Sequence, residues 1–220
     1  MGIKIVVTGP SQSGKSSYIR SLDKNALNVQ VNGRTVAMDV GYIPLGGLHI
    51  SLFGTPGLLR FQVMRSIIRS GADGIIFIFD ASNSESDKAA ISLLNDLKNS
   101  KTLRIYLANK QDINGARSPE EVKSKYSLPK ESKVFASSTK SGTNVKESLK
   151  YLVDQIFNRY KKLFRLLLEY ETDIRGLAEK LRKNKGEMRE LLYKLEIKKF
   201  IKIDRINKTY KVSEGLKNQI

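Results

Sequence analysis

The sequence predicts a three-layer α/β/α domain with a mostly parallel six-stranded sheet, followed by a small α+β domain. Two observations in residues 1–158 predict the first domain: short β-branched apolar runs alternate with helical patterns, and the first run ends in a glycine-rich loop. The second domain is predicted from a basic segment, 159–220, in which two short helical patterns precede a two-stranded pattern. We therefore expect a domain boundary near residue 158.

Each element of the first domain follows from a local pattern. The expected strands are runs rich in β-branched residues, and they cover 3–8, 35–45, 48–53, 74–80, 103–109 and 133–138. The expected helices have apolar residues at spacings of three and four, and they cover 16–27, 58–70, 87–99, 119–126 and 144–157. The second and third strands flank a Gly46-Gly47 turn and form an antiparallel hairpin. Helices separate the other strands, which favours parallel pairing and ligand binding at the carboxyl ends of the strands.

The last of these helices is expected to continue past the domain boundary. Its apolar positions run on at helical spacing, and they are Val145, Leu149, Leu152, Ile156, Tyr160, Phe164 and Leu167. We expect this helix to end at about Glu171, so that a continuous helix joins the two domains. Beyond it the sequence predicts two short helices, joined by a turn around 183–186, and a two-stranded ribbon that turns at 206–208.

The composition excludes several classes of protein. With 40% hydrophobic residues the 220-residue chain can bury a core, and it has no cysteine for disulfides, thiolate metal sites, or prenyl or palmitoyl anchors. No run approaches the roughly 18 apolar residues of a membrane span. The N-terminus also lacks a signal-peptide pattern. We expect a cytoplasmic protein without a transmembrane segment or lipid anchor.

The positive charge is concentrated toward the C-terminus. The formal net charge is +17, and residues 159–220 hold 18 Lys and Arg against 9 Asp and Glu. A basic segment of this kind favours a polyanionic partner, either nucleic acid or an anionic membrane surface. A solvated lysine-rich surface has the same composition, so the charge alone leaves both interpretations open.

The loop after the first strand has the pattern of a phosphate-binding loop. Residues 9–17 read GPSQSGKSS, which matches G-x-x-x-x-G-K-[ST] without a mismatch. Its glycines let successive backbone N–H groups point at a phosphate, while Lys15 reaches the terminal phosphates and the Ser16 hydroxyl ligates Mg²⁺. The residues expected to bind phosphate here are Gly9, Ser11, Ser13, Gly14, Lys15, Ser16 and Ser17.

The base of the nucleotide is predicted from NKQD, residues 109–112, at the end of a parallel strand. Asn109 can pair with a purine carbonyl and N7. The Asp112 carboxylate can accept two hydrogen bonds, from the N1–H and the exocyclic amine that guanine has and adenine lacks. Lys110 lies between them, and the segment Ser137-Ser138-Thr139-Lys140 is expected to close the other side of the base.

Together these motifs resemble the Ras-like small GTPases. The resemblance covers about residues 3–157 and consists of five segments in order: GPSQSGKSS, GRTVAMDVG, FGTPGLLRF, NKQD and SSTKSGTNV. The third and second segments look most like the prokaryotic branch of the superfamily, which includes bacterial cell-polarity GTPases. The resemblance implies a GTP hydrolase that binds GTP or GDP with Mg²⁺, with Thr35 as a second metal ligand. It also implies that the Gly57 backbone N–H contacts the γ-phosphate.

Two positions depart from this family pattern. Gly54 stands where most members have an aspartate, and Leu58 stands where most have the glutamine that orients the attacking water. Metal binding then rests on Ser16, Thr35 and the phosphates, with help from Asp39. Because leucine neither donates nor accepts a hydrogen bond, we expect slow intrinsic hydrolysis that depends on an activating partner. Two interpretations of Arg34 stay open: an arginine finger supplied in cis, which would act with Lys15 and Thr35 in catalysis, or an unpaired residue of a surface loop.

The C-terminal segment resembles the winged-helix domains of prokaryotic regulators. Such a domain would bind DNA through residues 183–211, contact a protein, or bind a membrane surface. The expected DNA contacts are Lys183, Lys185, Arg189, Lys194, Lys202, Arg205, Lys208 and Lys211. Two functions follow for the whole chain: a slow GTP/GDP switch that signals to a partner, and a nucleic-acid-binding regulator that senses guanine nucleotide with little or no hydrolysis.

Overall fold

The computed structural model describes residues 2–31, 34–45, 47–57 and 61–217, and it describes their side chains except at 28–31 and 34–37. Within these ranges the chain forms β1 Ile3–Thr8, α1 Lys15–Leu22, β2 Leu27–Val31, β3 Arg34–Leu45, β4 Leu48–Gly54, α2 Gln62–Arg69, β5 Gly74–Asp80, α3 Asp87–Asn95, β6 Leu103–Asn109, α4 Pro119–Lys125, β7 Val134–Ala136, α5 Val145–Glu169, α6 Ile174–Lys180, α7 Lys185–Ile197, β8 Ile201–Asp204, β9 Thr209–Val212 and α8 Glu214–Lys217.

The first seven strands form one sheet in the order β2-β3-β4-β1-β5-β6-β7. Parallel pairs join β1 to β5, β5 to β6 and β6 to β7, whereas β2 pairs antiparallel with β3. The register places Asp80 opposite Asn109, so the carboxyl ends of β5 and β6 lie side by side. The predicted class, a P-loop α/β fold with a mostly parallel sheet, is confirmed, and the sheet contains the six expected strands together with β2.

The strand β2 replaces the end of a predicted helix. The helix expected over 16–27 ends at Leu22, and Leu27 already pairs with Val40 on β3. The side chain of Asp23 explains the early stop, because its Oδ1 accepts from Asn25 N at 2.9 Å and its Oδ2 accepts from Tyr42 N at 2.9 Å. An aspartate that binds the backbone two residues on favours a turn over a further helical turn.

The core of the sheet lies around β5, in which every residue is buried. One face of β5 packs an aromatic cluster, with the Phe79 ring stacked on Tyr126 at 4.3 Å and tilted against Phe77 at 4.7 Å. The other face receives α5, and a Cβ added at Gly74 would lie 2.9 Å from a methyl group of Leu152. The glycine therefore lets α5 approach the strand closely.

The chain divides into two compact units. The larger unit consists of Lys4–Ile43 and Ser51–Ile156. It contains the glycine-rich loop after β1 and the ends of β5 and β6. The last residue of this unit, Ile156, lies close to the boundary expected from the sequence. The unit does not include Pro44–Ile50, a segment of the β3–β4 hairpin that was expected in the first domain.

The smaller unit consists of Met1–Ile3, Pro44–Ile50 and Phe157–Ile220, as far as these are described. Its core combines side chains from α5 to α8, among them Phe164, Leu177, Leu192 and Leu216, each of which is buried. The buried Tyr210 hydroxyl on β9 donates to the Leu167 carbonyl at 2.9 Å. Residues 157–217 thus contain the expected pair of helices and the expected ribbon, and also the short helix α8.

Side-chain caps define the ends of the C-terminal helices. α5 ends at Glu169, and Asp173 then caps α6 by accepting from Gly176 N at 2.9 Å. Asn184 caps α7 in a capping box, since its side chain accepts from Glu187 N while Glu187 accepts from the Asn184 backbone N–H. Across the described part of the chain, none of the helices has the length and apolar character that spanning a membrane requires.

Candidate nucleotide-binding site

The glycine-rich loop after β1 has a conformation that its glycines permit. Gly9 and Gly14 have φ of 146° and 104°, values that side chains rarely adopt. A Cβ at Gly9 would collide with the Ile78 carbonyl oxygen on β5, and one at Gly14 would collide with the Asn109 side chain. Because Gly9 has no Cβ, the loop can lie close to the sheet, and because Gly14 has none, the loop can lie close to the NKQD segment.

Asn109 joins the loop after β1 to the loop after β7. Its Nδ2 donates to the Ser13 carbonyl at 2.8 Å and to Thr139 Oγ1 at 3.3 Å. Its Oδ1 accepts from Thr139 N at 3.0 Å. Asn109 is fully buried, and both amide hydrogens are directed at protein acceptors. The structure thus gives Asn109 a cross-linking position, and a direct contact with the base remains a prediction.

Asp112 lies next to this cross-link with its carboxylate partly exposed. Ser138 Oγ donates to its Oδ1 at 2.6 Å, and the Lys140 ammonium lies 4.0 Å from its Oδ2. The Ser138 hydrogen bond lowers the pKa of the Asp112 carboxyl, with smaller contributions from Lys140 and Lys110. The carboxylate is therefore ionised at neutral pH and available as a hydrogen-bond acceptor.

Lys15 is buried at the start of α1. Its Nζ donates to the Pro10 carbonyl at 2.5 Å, within the loop that the sequence predicts to bind phosphate. Burial lowers the pKa of the Lys15 ammonium to about 8, against an opposing effect of the Asp39 carboxylate. A buried ammonium with a carbonyl partner is stabilised further by an anion, which is the contribution a phosphate group makes.

Two more observations describe the surroundings of the loop. Ser13 Oγ is buried, and it has no hydrogen-bond partner among the described residues. Gly57, which follows β4, lies against the loop so closely that an added Cβ would be 2.5 Å from Ser11 N and 2.8 Å from Lys15 Nζ. A glycine at 57 therefore places the backbone beside the lysine.

Asp39 on β3 lies beside Gly54, where the family pattern has an aspartate. A Cβ added at Gly54 would be 3.4 Å from Asp39 Cβ and 3.1 Å from Ile19 Cδ1. Asp39 is 2% exposed, and its Oδ1 lies 3.8 Å from Arg20 Nη2. The neighbouring strand thus places Asp39 beside residue 54, which carries no carboxylate.

The remaining predicted site residues divide into described and undescribed ones. Ser16 is half-buried and Ser17 exposed in the first turn of α1, and Ser11 is exposed in the loop. The backbones of Arg34 and Thr35 lie on β3, but their side chains fall outside the described part of the chain, as does Leu58 entirely. Among the described residues no three His, Cys, Asp or Glu side chains form a metal-binding group.

Two basic side chains, Lys110 and Arg117, position the site through contacts that the sequence did not predict. Lys110 Nζ lies 2.6 Å from the buried Asp80 Oδ2. Arg117 donates through Nη1 to both oxygens of Asp87, at 2.9 and 3.0 Å, and through Nη2 to the Asp80 carbonyl at 2.9 Å. These contacts connect the loops after β5 and β6. A carboxylate at the carboxyl end of an all-apolar strand was the signal that could have found Asp80.

The residues predicted to contact DNA lie on α7, before it, and on the β8–β9 hairpin. Lys194 Nζ is 2.6 Å from Glu190 Oε1, and Arg205 Nη2 is 2.7 Å from Glu196 Oε2. The other exposed cations of the set are Lys185, Arg189, Lys202, Lys208 and Lys211, whereas Lys183 is half-buried. The surface of α7 is therefore mixed in charge.

Comparison with known proteins identifies the family of the chain. The sequence model of the Ras family matches residues 4–158. An uncharacterised protein of Methanocaldococcus jannaschii is 34% identical over 98 residues, which cover 44% of this chain and 64% of that protein. The GTP-binding protein ypt4 of Schizosaccharomyces pombe is 28% identical over 170 residues, 71% of this chain and 72% of that protein. The tRNA modification GTPase MnmE of Baumannia cicadellinicola is 32% identical over 165 residues, 69% of this chain and 35% of that protein.

The matched lengths show which part of the chain is shared. The chain spans less than two thirds of the Methanocaldococcus protein, since the match covers 64% of it. The Ras family match contains the loop after β1, Asp39, Gly57, the NKQD segment and the loop after β7. The chain therefore belongs to the Ras family of GTP-binding proteins.

Proposed function

We propose that the protein is a GTP/GDP switch that binds guanine nucleotide with Mg²⁺ and hydrolyses GTP slowly. The observation that carries this proposal is the Asn109 cross-link, which joins the loop of Lys15 to the loop of Ser138. A nucleotide has its phosphates and base at opposite ends. A protein that holds both loops in a fixed relation is preorganised for such a ligand.

The base is assigned to guanine because of Asp112. Its carboxylate accepts a hydrogen bond from Ser138, which lowers its pKa, and it offers two acceptor oxygens. Guanine presents two donors on one edge, whereas adenine lacks them and would leave the carboxylate unpaired. In this proposal Ser138, Thr139 and Lys140 flank the base, and Lys110 is oriented by Asp80.

The phosphates are assigned to the loop after β1. Backbone N–H groups of Gly9 to Ser17 and the N-terminal end of α1 would face them, and Lys15 would add its charge. Ser16 and Thr35 would hold Mg²⁺, with Asp39 acting on its water shell in place of the side chain that Gly54 lacks. Bound Mg²⁺ neutralises the charge of the phosphates in this class of site.

A titration tests the base assignment. GDP and GTP are expected to bind much more tightly than ADP and ATP, and Asp112→Ala is expected to remove that preference. Asp154→Ala, at an exposed position of α5, serves as the control and should keep the preference. Equal affinity of the unaltered protein for GDP and ADP would contradict the guanine assignment.

Slow hydrolysis follows from Leu58, which cannot position water. A single-turnover assay is expected to give a rate constant on the order of 10⁻⁴ to 10⁻³ s⁻¹ without a partner. A rate constant near ~1 s⁻¹ would exclude this part of the proposal. In that case Arg34→Ala would test whether Arg34 acts as an arginine finger in cis.

For residues 159–220 we propose a winged-helix module that contacts a protein, either an effector or an activating partner. The mixed charge of α7 supports this choice over DNA, because Glu190 and Glu196 neutralise Lys194 and Arg205. Exposed Tyr193 and Ile197 on α7 add apolar surface of the kind that protein interfaces use.

Assignment to the prokaryotic branch is supported by the FGTPG segment and by the Methanocaldococcus relative. The cytoplasmic location expected from the sequence remains a prediction.

A further inference from the structure

The larger unit contains a cavity at the amino end of β6, away from the nucleotide site. Its volume is about 990 Å³, and its lining comes from the end of α3, the first half of β6, the segment between α4 and β7, and the middle of α5. All of these residues belong to the larger unit. Leu103, which begins β6, lines the cavity, whereas the site residue Asn109 ends that strand, so the two lie roughly 20 Å apart at about 3.3 Å per residue. This amino-end cavity is therefore separate from the nucleotide site.

The charged side chains around the amino-end cavity are mostly basic. Among the lining residues, all of which the structure describes, Glu131 is the acidic one. The cations of the lining are Lys98, Lys101, Arg104, Lys125 and Lys133. Lys125 is paired, since its Nζ lies 2.9 Å from Asp87 Oδ2. The lining therefore carries an excess of positive charge even where one ion pair is formed.

Arg104 and Lys133 make their described contacts with uncharged groups. Arg104 Nη2 donates to the Ser100 carbonyl at 2.5 Å. Lys133 Nζ lies 5.1 Å from the centre of the Phe135 ring and 5.9 Å from the centre of the Tyr151 ring. A carbonyl or an aromatic ring orients a cation without neutralising it, so these two charges attract an anion.

Apolar side chains form another part of the same lining. Ile105 on β6 and Leu152 on α5 are buried, and Leu128, after α4, is half-buried. Ile91 on α3 is 47% exposed. A ligand in the amino-end cavity would therefore cover apolar surface as well as meet the cations.

The strand that lines the cavity also has an open edge there. β7 pairs with Tyr106, Leu107 and Ala108, and the pairing does not extend to the earlier residues of β6. On the side of β7, Arg104 and its two neighbours in the strand thus have no partner strand within the described residues. Such an edge leaves backbone N–H and C=O groups available to a ligand.

We propose that the amino-end cavity binds a small organic anion, a molecule with a carboxylate, phosphate or sulfonate group on an apolar body. Its volume of about 990 Å³ lies at the upper end of the range of small-molecule sites, roughly 300–1,000 Å³. An inorganic anion would leave the apolar lining in contact with water, and an uncharged apolar molecule would leave the cations unbalanced. A ligand that combines a charged group with an apolar body satisfies both parts of the lining.

The probe for this site is anilinonaphthalene sulfonate, a dye with one sulfonate on apolar rings, whose fluorescence rises when the rings leave water. The full chain is titrated with it, both without nucleotide and with GDP and Mg²⁺ in excess. Phenylnaphthylamine, which has the same rings without the sulfonate, is titrated in parallel. We expect saturable binding of the sulfonate, unaffected by GDP and at least about tenfold tighter than binding of the uncharged dye, because hydrogen bonds to charged groups contribute that much. Displacement of the sulfonate by GDP would place it in the nucleotide site and overturn the proposal.

A double variant tests the role of the cations. Arg104→Met with Lys133→Met removes two positive charges from the lining. Lys146→Met with Lys150→Met removes the same charge at exposed positions of α5 outside the cavity and is the matched control. The first variant is expected to weaken binding of the sulfonate by about tenfold or more and to leave binding of the uncharged dye unchanged, and the control should leave both unchanged. Equal weakening in the two double variants would show a general effect of net charge and overturn the proposal.

Hydrogen exchange of the unaltered protein locates the bound dye without any variant. With the sulfonate bound, amide protection is expected to increase in residues 100–104 and 127–133, which line the amino-end cavity. Unchanged protection of both segments while the dye is bound would overturn the proposal. Both outcomes are independent of the proposed nucleotide switch, since the cavity and the nucleotide site lie at opposite ends of β6.

Discussion

At the scale of single residues, burial and one neighbouring carboxylate determine the charge state of Lys15. Burial alone would favour the neutral amine, and Asp39 opposes that effect, which leaves the pKa at about 8. The ammonium form therefore prevails at neutral pH, where it can bind phosphate. The same carboxylate lies beside Gly54, so Asp39 combines an electrostatic effect on the lysine with the proposed support of the metal.

Nucleotide affinity is expected to fall as the pH rises above about 8. In the free protein the Lys15 pKa is about 8, and a bound phosphate raises it by favouring the charged form. Binding above that pH therefore takes up a proton, and the dissociation constant should increase by up to about tenfold per pH unit. The measurement is a GDP titration at several pH values between neutrality and the ionisation of guanine itself. In Lys15→Arg the cation does not titrate, so a fall of the same size in that variant would contradict the assignment to Lys15.

Asp39→Asn is expected to reduce the contribution of Mg²⁺ to GDP binding by about tenfold or more, a typical loss when a group that supports a metal site is removed. The measurement compares GDP dissociation constants with Mg²⁺ and with a chelator. Asp154→Asn makes the same change of charge on the exposed face of α5 and should behave as the unaltered protein. If both variants show the same Mg²⁺ dependence, Asp39 does not replace the carboxylate that is missing at residue 54.

At the scale of elements, three loops at the carboxyl ends of β1, β6 and β7 are held together by one amide. Asn109 on β6 binds Ser13 and Thr139, and the absence of a Cβ at Gly14 leaves room for the Asn109 side chain. Each loop alone is a turn with several accessible conformations. The cross-link selects one relative arrangement before a ligand arrives, which lowers the entropy cost of binding.

Asn109→Ala is expected to weaken GDP binding and to destabilise the protein by about 1–3 kcal/mol, because the Ser13 carbonyl and the Thr139 N–H lose their buried partner. Thermal unfolding with and without GDP measures both effects. The control is Asn25→Ala at an exposed position after α1. Equal loss of stability and affinity in the two variants would show that the cross-link has no special role.

For the whole molecule, the net charge and the distribution of charge lead to different conclusions about the partner of the C-terminal segment. The formal net charge of +17 favours a polyanionic partner. Ion pairs on α7 and the hairpin neutralise part of that charge, where Lys194 meets Glu190 and Arg205 meets Glu196. Whether the segment binds a polyanion therefore depends on which unpaired cations lie together on its surface. The amino-acid composition does not contain this information.

The full chain is expected to bind random duplex DNA weakly, with a shallow dependence on salt. Six phosphate contacts would give a slope of log K against log salt near −5, at about −0.9 per contact. A module that contacts protein should give a much smaller slope, with GDP or with a GTP analogue bound. Binding measured at several salt concentrations tests this, and Lys202→Ala with Lys208→Ala reports the contribution of the hairpin. A slope near ~−5 that depends on the nucleotide would favour the nucleic-acid-binding regulator.

Elements and motifs whose signals are local could be predicted from the order of the amino acids. GPSQSGKSS, NKQD and the alternation of apolar runs predict a phosphate loop, a guanine-binding segment and a parallel sheet, since each depends on residues close together in the chain. The same holds for the pair of helices and the ribbon within 159–220. Periodicity failed at 23–27, because the Asp23 side chain ends α1 through contacts with Asn25 and with the distant Tyr42.

Contacts between distant residues became known from the fold. The Asn109–Ser13 hydrogen bond, the Lys110–Asp80 ion pair and the approach of Gly14 to Asn109 each join segments far apart in sequence. No local pattern encodes such contacts, because they depend on strand order and on how closely two backbones approach. Their physical basis is packing: a glycine without a Cβ leaves space, and the fold determines which neighbour occupies it.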